Sequence, residues 1–231
     1  MNTRKQVILL RHGQSQWNLE NRFTGWTDVD LSDNGREEAA RAGDAMLKAG
    51  LQPRFFFTSV LRRAIHTLQI AAARMQLDWV PVIKDWHLNE RHYGALQGLN
   101  KADTARKYGA EQVHAWRRGF DDLPPLLTPD DPRWPGNDPR YEGIAPAELP
   151  LAESLQDTIA RVHSCWSEVI EPRLRHVDCI LIAAHGNSLR ALAMLLCNMT
   201  ATEVTTLEIP TAKPWVLTLS PELTLVDSAY L

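Results

Sequence analysis

The apolar run Cys179-Ile180-Leu181-Ile182-Ala183-Ala184 leads without a break into His185-Gly186-Asn187. Six residues with no polar alternation read as a strand buried on both faces. A helix pattern, Ser188 to Met199, follows directly. The same grammar opens the chain, where Val7-Ile8-Leu9-Leu10 runs into Arg11-His12-Gly13. Phe55-Phe56-Phe57 is a further strand, and Val82-Ile83 a short one. Helix patterns lie between them. Ser32 or Asp33 caps one that stops at Gly50, and Ser59 caps the next, over roughly Val60 to Gln76. Asn100 with Asp103, and Ser154 with Asp157, open two more, to about Tyr108 and toward Ile170. Val216 to Leu219 and Leu223 to Val226 are late strands around Ser220-Pro221. Strands alternating with helices predict an α/β fold with a mostly parallel sheet flanked by helices.

Pro124, Pro125, Pro129, Pro132, Pro135, Pro139, Pro146 and Pro150 crowd the stretch 119–150, which therefore holds neither regular helix nor central strand. It reads as a linker or as an inserted, packed loop region. Trp134, Tyr141 and Ile144 offer apolar anchors, so a packed insertion in one domain spanning 1–231 is the expectation.

The chain is 231 residues long, with 44% hydrophobic and 23% charged residues, which excludes disordered and collagen-like classes. Three scattered cysteines, Cys165, Cys179 and Cys197, form no disulfide or zinc framework and read as reduced thiols in a cytoplasmic protein. No apolar run reaches membrane-spanning length, and Met1 to Gln6 is polar, unlike a signal peptide. The net charge of -3 disfavours nucleic acid as the main partner.

Carboxyl ends of parallel strands share one edge of a sheet, where ligands bind. Two His-Gly pairs at such ends, His12-Gly13 and His185-Gly186, can therefore face one site. Arg11 beside His12 disfavours a metal ligand and favours an anionic substrate, because a guanidinium matches phosphate oxygens bidentately. The pair predicts a nucleophilic histidine acting on phosphate, with its other ring nitrogen donating to a carbonyl or carboxylate. Arg62 and Arg63 fall in the first turn of a helix, where cations are disfavoured unless an anion binds. Asn89-Glu90-Arg91-His92-Tyr93-Gly94 is either an exposed turn or a loop that presents Glu90 as a general acid or base. Spacing leaves both open.

Longer blocks carry a resemblance. Leu10 to Asn18, Asn21 to Trp26, Thr58 to Thr67, Leu88 to Lys101, Trp116 to Phe120, Asp138 to Tyr141 and Ala184 to Arg190 together resemble the 2,3-bisphosphoglycerate-dependent phosphoglycerate mutases of the histidine phosphatase superfamily. The resemblance implies a six-stranded sheet with one antiparallel edge strand, and a homodimer. It also implies interconversion of 3- and 2-phosphoglycerate in glycolysis and gluconeogenesis, primed by 2,3-bisphosphoglycerate without a metal. His12 would be the phosphorylated nucleophile, Glu90 the proton carrier and His185 the stabiliser of the phosphoryl group, which Arg11 and Arg63 would clamp. Ser15, Asn18, Thr24, Gly25, Arg91, Tyr93, Lys101, Arg117, Arg118, Gly186 and Asn187 would line the substrate site. The alternatives are a histidine phosphatase hydrolysing a small phosphometabolite, or a non-catalytic phosphometabolite-binding protein. Two departures stand out. Ala212 occupies a position that is usually glycine, strained if it needs positive φ. The chain also reads to Leu231, where family members continue into a covering tail, so a larger share of hydrolysis is expected.

Overall fold

A computed structural model describes residues 4–231; the reading of Met1–Gln6 falls partly on Met1–Thr3, outside the described residues. Six strands form one sheet: β1 (Lys5–Arg11), β2 (Phe55–Thr58), β3 (Val82–Lys84), β4 (Cys179–Ala184), β5 (Trp215–Leu219) and β6 (Leu225–Tyr230). Their order is β3-β2-β4-β1-β5-β6. The strands β3, β2, β4 and β1 are parallel, β5 runs antiparallel to β1, and β6 antiparallel to β5. The antiparallel strand therefore lies inside the sheet instead of at its edge. A tight turn, with Leu223 N–H donating to Ser220 O at 2.9 Å and Leu223 at φ 67°, folds β6 back to take the edge. That turn also moves the last strand two residues beyond its expected start.

The helices are α1 (Gln16–Leu19), α2 (Asp33–Lys48), α3 (Arg62–Arg74), α4 (Lys101–Tyr108), α5 (Ala110–Arg118), α6 (Leu155–Cys165), α7 (Glu171–His176), α8 (Gly186–Leu196) and α9 (Ala201–Thr206). All six residues of β4 are buried, as the unbroken apolar run requires. Ile180 and Ile182 pack with Val7 and Leu9 against Val162 of α6 and Leu189 and Leu192 of α8. On the opposite face Leu181 joins Ile8 and Leu10 against Met46 of α2 and Leu68 of α3. Each such aliphatic side chain contributes about 1.5–3 kcal/mol by leaving water.

Ser32 caps α2, its hydroxyl accepting from Gly35 N, and Gly50 at φ 69° follows its end. Ser59 does not cap α3: Leu61 is the N-cap, and the Ser59 hydroxyl turns to His185 instead. Ser154 and Asp157 cap α6 reciprocally. A π turn, Trp166–Ile170, joins α6 to α7 just before Pro172, whose missing N–H breaks the regular ladder. The stretch 119–150 packs through three 3-10 turns, each beginning with proline. Trp134, Tyr141 and Ile144 pack with Trp26, Trp86 and Leu149, and the Tyr141 ring stacks on Trp26 at 5.0 Å. Cys165, Cys179 and Cys197 are free thiols. Among the described residues no helix is long and apolar enough to cross a membrane.

Candidate active site

Arg11 at the end of β1 pairs in register with Ala184 at the end of β4. The next residue on each strand is a histidine, and the two rings stand 5.0 Å apart between centroids, tilted by 59°. His12 N–H donates to Ala184 O at 2.9 Å, which ties the two strand ends together. His12 Nδ1 lies 2.7 Å from Gly13 O. A carbonyl can only accept, so Nδ1 carries the proton and the Nε2 lone pair is free. Burial, then Arg63 and Arg11, hold the His12 pKa well below its usual 6.5 against the Gly13 bond, so the ring is neutral at pH 7. Gly13 leaves no room for a side chain, since a Cβ there would stand 2.2 Å from Gly35 O.

Two guanidiniums flank this ring. Arg63, 1% exposed, donates to Gly25 O at 2.7 Å and to Thr27 O at 3.0 Å. Burial lowers its pKa to about 10, so it stays charged at neutral pH. Arg11 donates to Ile209 O at 2.8 Å. His185 is fully buried, with Nε2 2.8 Å from the Ser59 hydroxyl, and burial followed by Arg63 keeps it neutral. Arg11 Nε, Arg63 Nε and His185 Nδ1 are buried and find no hydrogen-bond partner among the described residues. The two arginine Nε–H groups are unpaired donors on lining residues, and they suit an anion with several acceptor oxygens.

Glu90 approaches from the loop after β3. Its Oε1 accepts from Arg91 N at 2.8 Å, Asn187 N at 3.1 Å and Asn187 Nδ2 at 2.9 Å. Burial alone would raise its pKa. The Arg91 N–H, Arg63, the Asn187 amide and Arg11 outweigh that, so its pKa falls below the ordinary carboxylate value. Glu90 is therefore an anion here, and the exposed-turn reading of its loop is excluded by the full burial of Asn89, Arg91 and His92.

Around these groups opens a polar pocket. Arg11, His12, Asn18, Thr24, Gly25, Arg63, Glu90, Tyr93, Lys101, Arg117, Arg118, Gly186 and Asn187 line it, all of them expected from the sequence. Lys101 is the first residue of α4 and donates its N–H to Asn21 O at 2.8 Å, while Arg117 and Arg118 end α5. Burial, then Arg117 and Arg11, lower the Lys101 pKa to about 8.

Three expected residues stand elsewhere. His185 is not part of the lining, although its ring stands 5.0 Å from that of His12. Ser15 caps α1, accepting from Asn18 N at 3.1 Å. Arg91 is fully buried and spends its guanidinium on the carbonyls of Glu153, Gly119 and Asp122, so it braces the insertion and does not reach the pocket. Conversely, Arg22 and Arg190 line the pocket and were not singled out. Both lie inside the blocks quoted above, and Arg190 sits one helical turn after Gly186, a spacing that could have flagged it. Ala212 does adopt positive φ, 44°.

Among the described residues, no three His, Cys, Asp or Glu side chains are grouped to hold a metal ion. The fold recurs in solved structures. A mycobacterial glucosyl-3-phosphoglycerate phosphatase is 25% identical, with 98% of this chain and 97% of that one covered and a TM-score of 0.65. An alpha-ribazole phosphatase from Shigella flexneri is 22% identical over 95% of this chain and 93% of that one, TM-score 0.68. A phosphoglycerate mutase from Bacillus anthracis is 17% identical over 99% and 93%, TM-score 0.68. The sequence pattern of the histidine phosphatase superfamily (branch 1) matches residues 7–128 and 126–228. With that match running from β1 to β6, and a neutral, buried histidine between two arginines at the strand edge, the chain belongs to the histidine phosphatase superfamily.

Proposed function

We propose that this chain is a 2,3-bisphosphoglycerate-dependent phosphoglycerate mutase, interconverting 3- and 2-phosphoglycerate through phosphorylated His12 in glycolysis and gluconeogenesis. The observation that carries this is the charge of the pocket. Seven cations line it, namely Arg11, Arg22, Arg63, Lys101, Arg117, Arg118 and Arg190, and Glu90 is the only acidic lining residue among the described ones. A bisphosphoglycerate carries about 4 to 5 negative charges, from two phosphates of about -1.5 to -2 each and a carboxylate. Arg11 and Arg63, with their unpaired Nε–H groups, fit its first phosphate. Lys101, Arg117 and Arg118 fit the groups at its far end. When bound, it supplies the phosphoryl group that primes His12.

His12 Nε2 forms a bond to phosphorus as the bond from phosphorus to the glycerate oxygen breaks. Arg11 and Arg63 balance charge on the equatorial oxygens, with positioning and electrostatics as the main contributions. Glu90 returns a proton to the departing oxygen and removes one from the neighbouring hydroxyl when transfer reverses. A bound phosphate beside Glu90 raises its pKa, because like charge disfavours the ionised form, so the resting base becomes a donor.

The second reading is a phosphatase, in which water replaces the second hydroxyl. It is favoured by the likeness to the mycobacterial glucosyl-3-phosphoglycerate phosphatase and the alpha-ribazole phosphatase. An assay with 3-phosphoglycerate and a trace of 2,3-bisphosphoglycerate separates the two. The mutase gives 2-phosphoglycerate faster than inorganic phosphate. Phosphate as the dominant product overturns the mutase reading and leaves the phosphatase.

A further inference from the structure

Behind the loop that carries Glu90 lies a buried ion pair to which the reaction as described gives no part. Arg161 of α6 and Glu153, just before that helix, are 8% and 5% exposed in their side chains. Arg161 Nε donates to Glu153 Oε1 at 2.6 Å, and one Nη2 hydrogen reaches Glu153 Oε2 at 2.9 Å. The rest of the guanidinium goes to backbone. It donates to His87 O at 2.5 Å, Asn89 O at 3.0 Å and Glu90 O at 2.9 Å. All five donors of the fork are thereby used. Glu153 Oε2 also accepts from His92 N at 2.7 Å. The irregular segment 87–92 thus has four of its backbone groups satisfied by one pair. A lysine, with three donors at one point, cannot span these acceptors.

A buried ion pair is weak grounds for stability, because desolvation offsets the attraction. What this pair does is local: its acceptors and its donor all lie within two or three residues of one carboxylate. We propose that Arg161 and Glu153 are positioning residues that hold the Glu90 carboxylate at the proton-transfer distance from the substrate oxygen. This rests on the phosphohistidine reading above, in either its mutase or its phosphatase form. It makes the insertion and α6 part of the catalytic frame, since Glu153 sits where the one enters the other.

The test is the single-turnover rate of His12 phosphorylation by two donors in Arg161→Lys and Glu153→Gln. With 2,3-bisphosphoglycerate the leaving alkoxide needs a proton. With p-nitrophenyl phosphate the phenolate leaves without one. The expected result is a loss of roughly 10- to 100-fold with bisphosphoglycerate, and a change under about threefold with p-nitrophenyl phosphate. Ligand affinity should stay within about threefold, since the pair touches no lining cation. Equal losses on both donors, or no loss on either, overturn the proposal. Failure of both variants to fold also overturns it, since the pair would then hold the fold and not one side chain. A wild-type chain that takes no phosphate on His12 defeats the functional reading instead, before the variants are compared.

Discussion

The inner and outer halves of the pocket are built differently. Inside, His12 and Arg63 are 1–3% exposed and come from a strand end and a helix packed on the sheet. Their spare hydrogen bonds go to backbone carbonyls, such as Gly13 O, Gly25 O and Thr27 O. Outside, Arg22 leans on Trp17 and pairs with Glu20 at 2.9 Å, with its side chain 42% exposed. Arg118 pairs with Glu208, which is 71% exposed. The inner side chains are themselves buried, so they cannot turn away without unpacking, whereas the outer pairs are surface contacts worth about 0–1 kcal/mol and yield to a stronger anion. The inner half therefore suits transfer of one phosphoryl group, and the outer half suits selection of what is attached to it.

Substitutions on the two sides should separate these jobs. The largest effect belongs to His12→Ala, which should abolish transfer from every donor while circular dichroism remains that of the wild type. The wild type should carry an acid-labile phosphate after exposure to bisphosphoglycerate. Label on the alanine variant would mean that the inner half works through another atom. Next comes Glu90→Gln, which keeps an acceptor for Asn187 and Arg91 but carries no transferable proton. It should slow His12 phosphorylation by bisphosphoglycerate about 10²–10⁴-fold and p-nitrophenyl phosphate far less. Comparable slowing of both donors would reduce Glu90 to a structural anion.

On the outer side, Arg118→Ala should raise KM for phosphoglycerate by about tenfold or more, the effect of losing a charged hydrogen bond worth about 1.5–3 kcal/mol. The kcat for p-nitrophenyl phosphate, which has no group at the far end, should hardly change. A fall in that kcat would erase the division between the halves. The smallest effect concerns pH. Lys101, with its pKa lowered to about 8, loses its proton in the free protein as pH rises from 7 to 9, and the pocket loses one positive charge. Phosphate is fully ionised by then, so KM for phosphoglycerate should rise a few-fold above pH 8, with kcat steady. Lys101→Arg, which stays charged, should flatten that rise; a rise that persists in this variant assigns the titration elsewhere.

How much of the site was legible follows from where each residue sits. His12 and His185 could be read because an unbroken apolar run marks a buried parallel strand, and such strands deliver their next residue to the binding edge. The Pro-rich stretch announced its lack of regular structure through proline's fixed φ, and its aromatic anchors announced that it packs. The arginines were harder. Arg91 and Arg22 belong to equally polar local sequence, yet one is fully buried among carbonyls and the other lines the pocket. Likewise Ser59 has the look of an N-cap but bonds a histidine 126 residues away.

The chain's own order of residues determined the strand–helix alternation, the two histidines at one edge and the anionic character of what binds there, because these depend on periodicity and on chemistry carried locally. The placement of β5 inside the sheet, the direction of each long polar side chain and the buried pair behind Glu90 were decided only in three dimensions. There, a donor or acceptor withdrawn from water must find its partner wherever the packed backbone leaves one open, at any distance along the sequence.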